Sequence, residues 1–195
     1  MAHKQERSRE TEAALIRAAM KLSMTKDTSK VTVREICAAA GVSVGAFYHH
    51  FESRQELFTS AYKNFDHELN RHMELRCQNK EPLQALTDLL MFQIAYVSRE
   101  AAGSLVQYFC AILTDSSHGS VSPDRTYYRY TYDCVQRLAD AGMLRPECNP
   151  QKIAELCISF VRGCLLDWTL HNQNYDVVEH MRSILPILFR GFLLP

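Results

Sequence analysis

The sequence predicts an all-α protein: an N-terminal three-helix domain built on a helix-turn-helix, then a larger helical body, about nine helices in all. Three observations carry this. Thr32 to Phe51, TVREICAAAGVSVGAFYHHF, reads as two short helices joined by a turn at Ala40-Gly41-Val42. An apolar stripe then runs through Leu57, Phe58, Ala61, Tyr62, Phe65, Leu69 and Met73 at helical spacing. The C-terminal end carries two more such stripes.

The elements follow in order. A basic amphipathic segment starts at Ser8, and a first helix spans about Arg9 to Met24, with Leu15, Ala18, Ala19 and Leu22 inward. Thr25 to Val31 is a polar linker. Thr32 and Glu35 form a T-x-x-E capping box that starts a second helix at Val33. Val33, Ile36 and Cys37 share its inner face. Gly41 supplies the permissive backbone of the turn. Ser43 caps the third helix, with Phe47 and Phe51 as core residues. Ser53 and Glu56 cap a fourth, about Arg54 to Cys77. Pro82 suits the first turn of a fifth helix ending near Arg99, and a sixth covers about Ala101 to Leu113. Asp115 to Asp124 has loop composition. A seventh runs from about Arg125 to Ala141 and stops at Gly142.

Asn149-Pro150 opens an eighth helix, to about His171, striped by Ile153, Leu156, Cys157, Phe160, Val161, Cys164, Leu165 and Trp168. The ninth spans Asp176 to Leu193, with Pro186 inside it to kink it or break a hydrogen bond. Its stripe is Val177, Val178, Met181, Ile184, Leu185, Leu188, Phe189 and Phe192. Two wide stripes at the end of a small domain need a partner surface. The reading gives two domains, residues 1–53 and 54–195.

Composition narrows the function classes. The chain has 195 residues, 47% hydrophobic, with zero formal net charge, so the whole molecule is not a basic nucleic-acid coat. Residues 1–60 carry nine Lys/Arg against seven Asp/Glu, a net +2, and the remainder a net −2. The asymmetry points weakly to nucleic-acid contact at the N-terminal end. Seven cysteines form no CxxC pair and no zinc-ligand spacing, which fits reduced, mostly buried thiols in a cytoplasmic protein. The first residues are polar, so no signal peptide is expected. No apolar run reaches the ~18–20 residues of a membrane span. There is no Gly-rich phosphate loop, no GxSxG and no HExxH. His49-His50 and His67/His72 lack the i, i+4 spacing that shares a helix face. No enzyme activity, catalytic residue, metal or cofactor is expected.

The second helix of the motif has the size that fits the DNA major groove. AGVSVGAFYHHF followed by SRQELF resembles the TetR family of bacterial one-component transcriptional regulators, over about the first sixty residues. The resemblance implies that Tyr48 and His49 contact the phosphate backbone; His49 can instead reach a base edge, and the plain alternative is that both simply fill the surface. A phenol suits this, since its hydroxyl donates to a phosphate oxygen while its ring packs on the helix. Ser43, Val44, Gly45 and Ala46 are small enough to approach the groove, and Val44 or Ala46 can touch a thymine methyl. Valine at 44, where many relatives carry a basic or polar residue, leaves base specificity unset. Gly45 is better explained by close backbone approach than by helix propensity, which it lowers by about 1 kcal/mol. Thr32 opens a helix whose N–H groups can face phosphate, although its cap alone is a sufficient structural reason. Arg34 faces solvent or DNA. Arg54 matches the family's Lys/Arg phosphate contact. Lys4, Arg7 and Arg9 read either as a flexible arm along phosphate or as a solvated tail.

The body is rich in aromatic residues between Met91 and Tyr132. The resemblance implies a small-molecule pocket there, and an apolar cavity with a few hydroxyls suits a largely hydrophobic or aromatic effector. Phe92, Tyr96, Tyr108, Tyr128 and Trp168 are expected to line it; a tyrosine-rich core is the plain alternative. The last two helices are implied to pair with their symmetry mates as a four-helix bundle across a two-fold interface. Phe160, Cys164, Trp168, Met181, Leu185, Leu188 and Phe189 are the residues expected there. The implied protein is a ligand-responsive repressor that binds a pseudo-palindromic operator as a homodimer and is released by its effector. Its partners are double-stranded operator DNA, the effector and a second copy, with no membrane. The alternatives are a metal- or thiol-sensing DNA-binding regulator, or a helical protein-interaction module without DNA binding.

Overall fold

The computed structural model describes residues 2–23, 25, 30–76, 80–114 and 122–194. Their regular structure is helical, apart from one isolated antiparallel bridge between Leu144 and Leu193. The helices are α1 (Ala2–Ser23), α2 (Val33–Ala40), α3 (Val44–His50), α4 (Arg54–Thr59), α5 (Ala61–Arg76), α6 (Pro82–Glu100), α7 (Leu105–Thr114), α8 (Thr126–Asp140), α9 (Pro150–Leu170) and α10 (Val177–Arg190). A short 3-10 turn, Ala102–Ser104, precedes α7. The expected linker positions 26–29, loop positions 115–121 and Cys77 lie outside the described residues. So do the side chains of Lys4, Arg9, Ala61, Tyr62 and Cys110.

The chain divides into two compact units: Met1–Phe65 with Glu100–Ser120, and Asp66–Arg99 with Val121–Pro195. In the first, Leu15, Ile16 and Ala19 of α1 close over Ile36 of α2, Phe47 of α3 and Leu57 of α4, all essentially free of solvent. α7 packs on α4 and the 3-10 turn on α1. The sequence reading ended the N-terminal domain at residue 53. The compact unit instead takes in α4, because Leu57 and Phe58 share one core with Phe47 and Phe51. In the second unit α8 lies along α9, and α9 packs on α10. Leu86, Leu90 and Ile94 of α6, Val135 and Leu138 of α8, Val161 of α9 and Met181 of α10 are fully buried there.

Four boundaries differ from the sequence reading; one is the sixth expected helix, whose first residues form the 3-10 turn before α7 starts at Leu105. α1 begins at Ala2, so the first residues continue the helix instead of forming a tail. The long fourth helix is interrupted at Ser60, a buried residue whose N–H returns to the Glu56 carbonyl at 2.8 Å. The last helix stops at Arg190 rather than Leu193. The tail folds back because backbone bonds run from Arg145 N to Phe192 O (3.0 Å) and from Leu194 N to Met143 O (2.9 Å). The Arg145 side chain adds Nε to Leu193 O at 3.1 Å and Nη2 to Arg190 O at 3.0 Å.

Candidate nucleic-acid interface and effector site

The helix-turn-helix is assembled by local hydrogen bonds. The Thr32 backbone N–H donates to Glu35 Oε2 at 2.8 Å, its hydroxyl donates to the same oxygen at 2.9 Å, and the Glu35 N–H returns to Thr32 Oγ1 at 3.3 Å. The Thr32 hydroxyl proton is therefore committed to the cap. At the other end of α2, Gly41 adopts φ 70°. Its N–H reaches Ala38 O and the next N–H, of Val42, reaches Cys37 O, the paired bonds of a Schellman stop. Ser43 Oγ accepts from Ala46 N at 3.1 Å and launches α3. Ser53 Oγ accepts from Glu56 N at 3.0 Å and launches α4.

These caps fix which side of α3 faces out. Phe47 is fully buried, with ring centroids 5.6 Å from Phe51 and 5.2 Å from Tyr48. Tyr48 itself is 59% exposed. Its ring edge rests on Phe47, and its hydroxyl makes no hydrogen bond among the described residues. Ser43, Val44, Gly45 and His49 are also exposed and Ala46 partly so. The Gly45 backbone is open: a Cβ there would meet only Ser43 Oγ, at 3.8 Å. On α2, Arg34 projects into solvent with no ion-pair partner among the described residues. Arg54 is different. Its Nη1 donates to the Val31 carbonyl at 3.2 Å, so it ties the start of α4 to the entry of α2.

The second unit holds four of the five aromatic residues expected around an effector, Phe92, Tyr96, Tyr128 and Trp168, together with two that sequence reasoning did not place there. Phe92 and Tyr96 of α6 sit with ring centroids 6.0 Å apart, and His72 of α5 lies over Phe92 at 4.4 Å. Between them in sequence, Gln93 presents a buried Oε1 that accepts no hydrogen bond among the described residues. Such an oxygen carries a desolvation cost until a donor meets it. Tyr127 of α8 is buried, and burial pushes its phenol up. Cys157 of α9 is likewise buried and its thiol is pushed up to about 12. Tyr128 turns to the surface, where its hydroxyl donates to Glu155 at 3.3 Å beside Lys152. Trp168 is buried, and its Nε1 donates to the Tyr175 carbonyl at 2.8 Å, pinning the turn between α9 and α10. Tyr108 belongs to the first unit, half-buried beside Phe109. The side chains of His72 and Gln93 left no sequence signal, because neither forms a motif.

Of the residues expected at a subunit interface, Cys164, Trp168, Met181, Leu185 and Phe189 are buried within their own chain, and Phe160 and Leu188 are half-buried. The apolar residues that α9 and α10 leave exposed are Leu156, Leu166, Leu170 and Ile187. Among the described residues no group of three His, Cys, Asp or Glu side chains gathers to hold a metal ion. No described helix is long and apolar enough to cross a membrane.

Comparison with known proteins agrees with this geometry. Residues 15–61 match the family model described as bacterial regulatory proteins, tetR family. The whole chain aligns with the HTH-type transcriptional regulator AcrR of Shigella flexneri at 24% identity, over 96% of this chain and 91% of the relative. A solved structure concerned with control of antibiotic production by a bacterial hormone superposes with a TM-score of 0.71, at 20% identity over 94% of this chain and 98% of the other. The regulator FadR of Bacillus subtilis, in complex with stearoyl-CoA, superposes with a TM-score of 0.67, at 16% identity over 92% and 98%. At those identities the structures establish the fold. The motif match at the reading head and the full-length relative make the chain similar to bacterial regulatory proteins of the tetR family.

Proposed function

We propose that the protein is a repressor that binds a pseudo-palindromic operator as a homodimer and is released by a small, largely apolar or aromatic effector. The observation that carries the DNA reading is α3, a short helix anchored by a buried Phe47 while Tyr48, Val44 and Gly45 face out. A helix so held enters a major groove with small residues leading and a phenol placed for phosphate. Arg34 of α2 and His49 of α3 add exposed donors. Two such helices, related by a two-fold axis, read half-sites one helical turn apart, about 34–36 Å.

The dimer reading rests on the exposed side of α9. Leu156, Gly163 and Leu170 recur every seven residues, with Leu166 beside them and Ile187 exposed on α10. A Cβ at Gly163 would meet nothing within 4 Å, which leaves room for a second helix to approach closely. The effector reading rests on His72, Phe92 and Tyr96 with the buried Gln93 oxygen. A flat apolar molecule carrying one N–H or O–H donor fits that set. The effector then favours a conformer that cannot fit both half-sites, and lowers operator affinity by its differential binding.

The test is a gel shift on the DNA flanking the protein's own gene, repeated with candidate ligands. Specific retardation that resists competitor DNA, lost in Tyr48→Ala and weakened in Arg34→Ala and Arg54→Ala with a shallower salt dependence, supports the reading. Operator affinity unchanged in all three variants refutes the interface. Linkage is reciprocal, so an effector must bind more weakly to the operator complex than to free protein; equal affinities refute the coupling.

A further inference from the structure

An open groove of about 1090 Å³ lies between α6, α10 and the returning C-terminal tail, all within one compact unit. That is at or just above the ~300–1,000 Å³ typical of small-molecule sites. None of its walls comes from His72, Phe92, Gln93 or Tyr96. Its floor is apolar, formed by Met91 of α6, Leu185 and Phe189 of α10, and Leu193 of the tail.

The rim is cationic. Arg182, Pro186 and Arg190 stand at i, i+4 and i+8 of α10 and so line one edge, and Arg145 comes from beside the tail. The acidic groups nearby are already engaged: Asp88 is ion-paired with Lys80, and Glu179 with Arg182. Among the described residues, the guanidinium groups of Arg145 and Arg190 have no carboxylate partner. Arg190 has no side-chain partner among the described residues. Arg145 spends two of its five N–H donors on the carbonyls of Leu193 and Arg190.

Ile187, on the exposed face assigned above to a second copy, is turned about 100° from Pro186 around α10 and adjoins only the Arg190 end of the rim. An apolar trough ending in guanidinium groups without a carboxylate partner complements one kind of molecule. We infer that the groove binds a free anionic amphiphile: an unbranched apolar chain lies on Met91, Leu185 and Phe189, and its terminal carboxylate meets Arg190 and Arg145. Guanidinium suits a carboxylate because two N–H groups match its two oxygens.

Calorimetric titration of the whole protein with decanoate below its micelle concentration tests this. One decanoate per chain is expected, and decyltrimethylammonium should not bind. Arg190→Glu, at an exposed residue without a partner, should fold normally and weaken binding by about tenfold or more, the loss of a charge-assisted contact. Arg190→Lys, which keeps the charge but loses the paired N–H groups, should bind between the parent and Arg190→Glu. Gln93→Leu should leave decanoate binding unchanged. Absence of binding, equal affinity for the cationic amphiphile, or an unaffected Arg190→Glu variant would overturn the inference. Loss in Gln93→Leu instead would move the ligand to the aromatic site and equally overturn it. So would binding confined to phosphatidylglycerol vesicles, or a change of oligomeric state in Arg190→Glu, which would make the groove a surface between copies.

Discussion

Gly45 occupies a helical position where nothing in the protein requires glycine. Its φ is not positive, and an added Cβ would meet only Ser43 Oγ at ordinary contact distance. Glycine inside a helix costs about 1 kcal/mol relative to alanine. The chain therefore keeps a less stable helix at the surface that we assign to DNA. Gly45→Ala should raise the free energy of unfolding by up to about 1 kcal/mol in a urea titration and weaken operator binding in a gel shift. Raised stability with unchanged affinity would show that no backbone approach uses this position. Cys157 bears on the thiol-sensing alternative. Burial pushes its thiol from the ordinary 9.0 up to about 12. The folded-state value is the raised one, so the stabilisation is complete below pH 9 and is lost as pH climbs from 9 towards 12, where the unfolded chain ionises first. Tyr127, also raised, pulls the same way above pH 10. Denaturant titrations between pH 8 and 11 should show stability falling, less steeply in Cys157→Ala. Rapid alkylation of Cys157 in the native protein at pH 8 would contradict the burial.

Between elements, the longest-reaching polar tie described here is Asp66 of α5 to Arg125 at the start of α8. Nη2 meets Oδ1 at 2.9 Å and Nε meets Oδ2 at 3.4 Å, with the two side chains only 15% and 18% exposed. Two parallel N–H···O bonds at low exposure are worth more than a surface pair. Asp66→Asn should cost about 1–3 kcal/mol, because it leaves the guanidinium partly buried beside a neutral amide. Hydrogen exchange should then quicken in the first turn of α8 before it does in α9, and uniform quickening would deny the tie a local role. The sequence could not show this pair, because 59 residues separate its partners and neither belongs to a motif. What it did show was local. Thr32/Glu35, Gly41, Ser43, Ser53 and Asn149 each act on backbone within four residues, so cap and stop were readable at once. The break at Ser60 and the early end of α10 were not, since they depend on burial and on Arg145 reaching across from beside the tail.

For the whole molecule, the two C-terminal stripes were legible and their destination was not. Helical periodicity reports that a face is buried, and is silent on whether its own chain or a second one buries it. Met181 and Leu185 satisfy the pattern by packing inward, so the surface left for a partner is the thinner line through Leu156, Gly163, Leu166 and Leu170, the last 72% exposed, with Ile187 at 65%. Exposed apolar residues in a line are costly on a solitary soluble protein, and an isologous two-fold contact covers each copy's line with the other's. Gly163 discriminates, because inside one chain it touches nothing. Gly163→Arg should leave the folded chain intact and even improve its helix propensity, while placing a long cation at the centre of the assembled contact. Sedimentation should show the dimer weakened by at least about thirtyfold, the ~2 kcal/mol of a central interface residue. Operator affinity should fall with it, because a lone copy holds one half-site. A Gly163→Arg protein that sediments as a dimer and binds operator like its parent would place the two-fold contact elsewhere.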